Sequence, residues 1–199
     1  MTTAMQKEDF ERRKIRLKEH LSDPDFLANK GLGNEAGIFT FCYDPSLEMS
    51  ARKFFKALVA NPNGGEYGKS DVKATIHERN LYDLLLQICE GKRILDRLPR
   101  QEERRGQSAM LRQLQRIATP EAFVAAMDWS PHEFGDVLLI TGVGEVYPFV
   151  RVHNILNNMQ STFRDVPAVV AYPGVYDGRS LSLFGRLKDG HYYRAFDLI

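Results

Sequence analysis

A chain of 199 residues with 43% hydrophobic content is long enough to bury one sizeable core, and the expectation is one α/β domain over residues 1–199. Its 27 Lys+Arg against 26 Asp+Glu leave a net charge of +1, which excludes a bulk electrostatic drive toward nucleic acid or anionic membrane but not a local patch. No apolar run approaches the ~20 residues that span a bilayer. The charged start MTTAMQKEDFERRK is unlike a signal peptide, so a cytoplasmic protein without membrane association is expected. Cys42 and Cys89 sit in apolar surroundings without metal-type spacing and read as reduced core residues.

In chain order, residues 6–20 are dense in charge with Phe10, Ile15, Leu17 and Leu21 as the apolar minority, an amphipathic helix that Ser22-Asp23-Pro24-Asp25 breaks. AGIFTFCY (36–43) is the first strand, rich in β-branched and aromatic residues. Asp44-Pro45 then marks a helix start, with Asp44 as cap and Pro45 at the first helical position. That helix turns Leu47, Ala51, Phe54, Phe55 and Leu58 inward and stops near Asn61-Pro62-Asn63-Gly64-Gly65. A second strand is predicted over 72–77, and Asn80 is placed to cap a helix whose buried face is Leu81, Leu84, Leu85, Ile88 and Cys89. From about 92 to 130 the pattern is helical, broken at Pro99, Gly106 and Thr119-Pro120, and reads as a helical insertion.

The stretch from Gly135 to Gln160 reads as the organising βα unit. Val137 to Ile140 form an unbroken apolar run, as in a strand buried on both faces. Thr141 to Tyr147 contains Gly142 and Gly144, and Pro148 is suited to open a helix with Phe149, Val152, Ile155, Leu156 and Met159 on its apolar stripe. Arg151, His153, Asn154, Asn157 and Asn158 fall on its polar faces. AVVAY (168–172) is another buried strand, ended by Pro173-Gly174. A turn at Tyr176-Asp177-Gly178, a brief strand or helix over 181–187, a hairpin turn at Asp189-Gly190 and a terminal strand over 191–199 follow. Strands alternating with helices predict a three-layer α/β sandwich with a mainly parallel central sheet.

In such sheets ligands bind at the carboxyl ends of the strands. The Thr141-Gly-Val-Gly144 turn does not complete either nucleotide motif: Tyr147 replaces the third glycine of a dinucleotide fingerprint, and Pro148-Phe149-Val150 stands where a phosphate loop needs Gly-Lys-Ser/Thr. The first βα turn, Tyr43-Asp44-Pro45-Ser46, has neither glycine nor lysine. The sheet therefore resembles a P-loop-type fold lacking its phosphate loop, which argues against ATP hydrolysis. No catalytic set, cofactor or metal site can be named. The candidate interaction residues are Glu145, Tyr147, Arg151 and Asn154, the turn residues Tyr176 and Asp177, and Tyr193 and Arg194 in an aromatic/arginine cluster of interface type. Between Lys92 and Arg116 eight cations face three carboxylates. This is the one local basic excess, and nucleic-acid contact and a solvated face are the alternatives.

LLITGVGEVYPFVRVHNILNNMQ followed by YPGVYDGRSLSLFGRLKDGHYYRAF resembles the signature of the BrxB family of BREX (bacteriophage exclusion) defence systems. FTFCYDPSLEMSARKF is similar to that family's first strand-turn-helix, so the resemblance covers essentially the whole chain. The motif positions fall on Gly142, Gly144, Tyr147, Pro148, Arg151, Tyr172, Pro173, Gly174, Tyr176, Asp177, Gly178, Tyr192, Tyr193 and Arg194, while Val175 and His191 replace residues expected to be more polar. The resemblance implies a non-catalytic subunit needed for phage restriction and host-DNA methylation. It implies association with the alkaline-phosphatase-like component (PglZ) and, through it, with the adenine methyltransferase (PglX); DNA contact is expected to be possible only within that complex. It carries no catalytic residues.

Overall fold

The structure, a computed structural model, describes residues 3–30, 37–64, 71–188 and 196–198. Helix α1 (Ala4–His20) opens with a reciprocal cap: Thr3 accepts the Gln6 backbone N–H, and the Gln6 side chain accepts that of Thr3. Asp23 caps the short α2 (Pro24–Leu27). Strand β1 (Ile38–Tyr43) runs to Asp44, whose carboxylate accepts the Ser46 N–H, and one 3-10 turn from Pro45 leads into α3 (Glu48–Ala60), as the Asp-Pro pair predicts. Strand β2 (Thr75–Asn80) ends on Asn80, which accepts the Tyr82 and Asp83 N–H groups and so caps α4 (Leu81–Gly91). The predicted insertion is α5 (Leu98–Arg105), α6 (Gln107–Ile117) and α7 (Pro120–Met127), divided at Gly106 and at the Thr119 cap. Strand β3 (Asp136–Thr141), a single turn α8 (Val143–Val146), α9 (Val152–Met159) and β4 (Ala168–Tyr176) follow. The described chain ends with β5 (Leu181–Leu183), β6 (Leu187–Lys188) and β7 (Phe196–Asp197).

The strands pair in the order β2-β3-β4-β1-β7, every pair parallel. Beyond the parallel sheet β4 continues into an antiparallel ribbon with β5 and β6. Period-two alternation of side chains sends Phe41, Val137, Leu139, Val169 and Ala171 to one face, where they pack on α1, α2 and α3. It sends Leu138, Ile140, Ala168, Val170 and Tyr172 to the other, against α4, α6, α7 and α9. Helices thus cover both faces of a mixed, mostly parallel sheet. Phe41 is the hub of the first face, in ring contact with Phe10, Tyr43, Phe54 and Phe55 at centroid separations of 5.1 to 6.4 Å. Cys42 and Cys89 are buried thiols not joined to one another, and burial pushes Cys42 up to about 12. No helix among the described residues is long and apolar enough to cross a membrane.

The structure departs from the sequence expectation at several points, most of them for a local reason. The second strand begins at Thr75 rather than 72, because the Asn63 side chain brackets Ala74 through both its N–H and its C=O and keeps that residue out of the ladder. Pro148 does not open the long helix. A residue before proline is driven out of the helical region, so Tyr147 is extended, α8 stops at Val146, and α9 starts only at Val152. Strand β4 runs through Pro173-Gly174 instead of ending there. Gly174 is required by close approach: a Cβ would lie 2.2 Å from the Ser182 carbonyl oxygen of β5. His153, expected on a polar face, is buried at 7% exposure because α9 presses that side onto the core. The segment 181–187 becomes two short strands joined by a turn. The expected Asp189-Gly190 turn, and Tyr193 and Arg194, lie outside the described residues, as does most of the terminal strand; Phe196–Asp197 pairs parallel with β1.

Candidate functional site

The carboxyl ends of β1, β2, β3 and β4 converge on a cleft of about 290 Å³, lined by Tyr43, Glu48, Arg52, Lys56, Glu78, Asn80, Thr141 and Glu145 among others. The strand-turn-helix units create it, because each polar residue lies at a strand end or in the first turns of the following helix. Gly142 makes the turn after β3 with φ of 74°, a conformation that side chains oppose, and a Cβ there would lie 2.5 Å from Asn80 Oδ1. That turn aims Glu145 of α8 into the cleft.

Three charges of the cleft, Glu48, Arg52 and Glu145, are occupied by one another. The Arg52 guanidinium donates to Glu48 at 2.9 Å and to Glu145 at 2.6 Å. These two carboxylates hold Arg52 above its ordinary pKa, Glu145 contributing most. The Tyr43 hydroxyl donates to Glu48 at 2.8 Å; burial, then the neighbouring Glu48 charge, pushes the phenol upward. The Thr141 hydroxyl donates to Glu78 at 2.8 Å. Asp44 and Asn80 are spent capping helices. A roomier hollow of about 600 Å³ adjoins at Tyr43, between the first turns of α1 and the end of β1. Where a phosphate loop would present backbone N–H groups, the chain therefore presents capped helices and a Glu-Arg-Glu bridge. No group of three or more His, Cys, Asp or Glu side chains among the described residues is placed to hold a metal ion.

The residues singled out in the sequence divide between two places. Glu145 lies in the cleft. Tyr147 and Arg151 meet on the far side of α8, around a small void shared with Tyr172, Leu183 and Leu187 of the ribbon. Arg151 is exposed at the start of α9 and Asn154 is exposed one turn on, its carbonyl accepting the Asn158 amide at 2.8 Å. Tyr176 is half-buried against the core. The Asp177 carboxylate is engaged by the turn it builds, accepting the Arg179 and Ser180 N–H groups and the Ser180 hydroxyl, and these bonds hold it below the ordinary carboxylate range.

The sequence reading missed Tyr43, Glu48, Arg52, Glu78 and Thr141. Glu48 and Arg52 are four apart on α3, a pairing legible from helical spacing. The approach of Glu78 to Thr141 follows only from the β2–β3 register. Around the rim stand side chains that water does not favour: Met49 and Tyr82 in the first turns of α3 and α4, Val175 at the end of β4, and Phe184 in the β5–β6 turn. Phe184 adopts φ of 56° and remains 38% exposed, with its ring beside Gly144 and its backbone N–H donated to the Pro173 carbonyl at 2.8 Å.

Fold and site together define a mixed α/β protein whose carboxyl edge carries a Glu-Arg-Glu bridge and is rimmed by apolar side chains. A family profile described as "BREX protein BrxB" matches residues 77–198. A BREX protein BrxB of Bacillus cereus (strain H3081.97) is 38% identical over 182 residues, covering 90% of this chain and 92% of that protein. A second, of Escherichia coli O9:H4 (strain HS), is 27% identical over 196 residues, covering 95% and 91%. No solved structure matches. The chain belongs to the BrxB family of BREX systems, which places it in phage defence.

Proposed function

We propose that this protein is a non-catalytic adaptor of a BREX system, binding the alkaline-phosphatase-like component PglZ through the carboxyl edge of its sheet and helping assemble the PglX methyltransferase complex. On this reading the sheet is a nucleotide-hydrolase type that lacks its phosphate loop and has turned its ligand edge into a protein-binding surface. The observation that carries it is Phe184. A bulky residue at positive φ costs free energy, and strain of this kind persists where function selects it. Here it holds an aromatic ring at the surface beside Val175, which is 57% exposed. Aromatic side chains are enriched at interfaces, and burying one supplies the apolar area that internally paired charges cannot. The bridged Glu48, Arg52 and Glu145 would then form a polar rim with its hydrogen bonds already made.

The test is co-purification of tagged protein from cells expressing the neighbouring operon, with Phe184→Asn beside wild type. Asparagine tolerates left-handed backbone, so the variant is expected to melt at or above the wild-type temperature. It is expected to recover at least tenfold less of the phosphatase-like component, the loss of one hot-spot side chain of about 1.4 kcal/mol or more. A wild-type preparation that brings down neither operon protein, or that retains a nucleotide, would overturn the adaptor reading.

A further inference from the structure

We propose that the face formed by α6 and the segment from Pro148 to Asn158 binds the sugar–phosphate backbone of double-stranded nucleic acid. Although the chain as a whole holds 26 Asp+Glu, residues 104–120 and 146–164 contain none. The structure joins these two acid-free stretches: the Gln115 side chain of α6 donates to the Pro148 carbonyl at 3.0 Å, tying α6 to the loop that leads into α9. Leu114 of α6 packs in the same core as Val150 and Val152. Their outer surfaces carry Arg112 and Arg116, one helical turn apart, and Arg151, with the amides of Asn154 and Asn158; all five are exposed.

On α1, Arg12, Arg13, Lys14 and Arg16 are each bridged to a carboxylate. Among the described residues, neither Arg112 nor Arg116 enters any ion pair. The three carboxylates of the basic arm, Asp96, Glu102 and Glu103, all precede Arg104, so nothing on α6 itself neutralises them. Planar guanidinium groups match phosphate oxygens in paired hydrogen bonds, and Asn and Gln amides add contacts to phosphate and sugar. Two adjoining stretches that carry arginines and amides but no carboxylate of their own suit a polyanion. A duplex presents its charges in a continuous row, whereas an acidic protein surface mixes them with other groups. Because the chain is otherwise nearly neutral, binding is expected to be local and salt-sensitive.

The experiment is fluorescence anisotropy of a labelled duplex of about 20 base pairs with the purified full-length protein, titrated between about 50 and 200 mM salt. Wild type is expected to bind with log K falling linearly against log salt. The Arg112→Gln/Arg116→Gln double variant is expected to bind about tenfold more weakly at low salt, with the slope shallower by about 2. The control Lys7→Gln/Lys53→Gln removes the same charge from exposed positions on α1 and α3 and is expected to match wild type. Circular dichroism confirms that each variant is folded. No binding by wild type at low salt, a response unchanged by salt, or equal losses in both double variants would overturn the proposal. None of these outcomes bears on the Phe184 test.

Discussion

At the scale of single residues, a heavily engaged buried carboxylate lies at the opposite end of the sheet from the cleft. Asp136, the first residue of β3, is buried, and both its oxygens are used. His77 of β2 lies 3.0 Å from one; the other accepts the Trp129 indole N–H at 3.0 Å and the Glu133 backbone N–H at 2.9 Å. The His77 ring stacks on Trp129 at 4.0 Å, and the Arg79 guanidinium lies 5.3 Å from the Trp129 ring centroid. Burial is the largest single influence on the Asp136 carboxyl and pushes it up. The Glu133 N–H, the Trp129 indole and His77 together outweigh it and hold the group below 3.8. A carboxyl depressed on folding contributes stability that is complete above its unfolded value and lost as pH falls through its folded value. Asp136→Asn is therefore expected to lose about 2 kcal/mol at pH 7, since an amide turns donors toward donors. The gap from wild type narrows progressively below about pH 4. Urea midpoints at pH 7 and pH 3 check this, and an equal gap at both would mean that the charge of Asp136 is irrelevant.

Elements, rather than residues, decide the shape of the cleft, and the junction after β3 decides it most. Gly142 is the left-handed pivot between β3 and α8, and Asn80 beside it caps α4. An alanine there would meet the Asn80 side chain, disturbing the cap as well as straining its own backbone. Gly142→Ala is expected to destabilise by about 2–3 kcal/mol, roughly 1–2 for the conformation and about 1 for the cap. Chemical denaturation measures the loss, and Asn80→Ala in the same background should add little, because the cap is already damaged.

Those elements were legible in the sequence to different degrees. Asp44-Pro45, Asn80 and Thr119-Pro120 announced helix starts that the structure reproduces, because caps act over three residues. The buried strands β1, β3 and the first half of β4 announced themselves as apolar runs. The passage of β4 through Pro173-Gly174 did not, since only the approach of Ser182 explains the glycine. Nor did the Glu48-Arg52-Glu145 bridge, whose third member reaches α3 from a different βα unit. Family resemblance was legible above all in the C-terminal half, whereas the geometry that long-range pairing creates was not.

Across the whole molecule, one sheet separates two cores with no side chain in common. Phe41 belongs to the face covered by α1, α2 and α3, with 0% exposure. Trp129, the chain's single tryptophan, packs on the face covered by α4, α6, α7 and α9. The apolar cores of the two faces are joined through the strand backbones, since consecutive residues such as Leu138 and Leu139 belong to opposite cores, and the Arg52–Glu145 bridge links α3 to α8 across the carboxyl edge. If the sheet couples them fully, damage on one side must lower the stability reported on the other. Phe41→Ala removes a ring with four aromatic neighbours and is expected to cost about 3–5 kcal/mol. In a urea titration, Trp129 fluorescence and far-UV circular dichroism should shift to the same lower midpoint, the behaviour of one cooperative domain. A fluorescence midpoint that stays near wild type while the dichroism midpoint falls would show the helical layer over Trp129 unfolding on its own. The α6 face and the carboxyl edge would then be carried by separate folding units, able to engage partners independently.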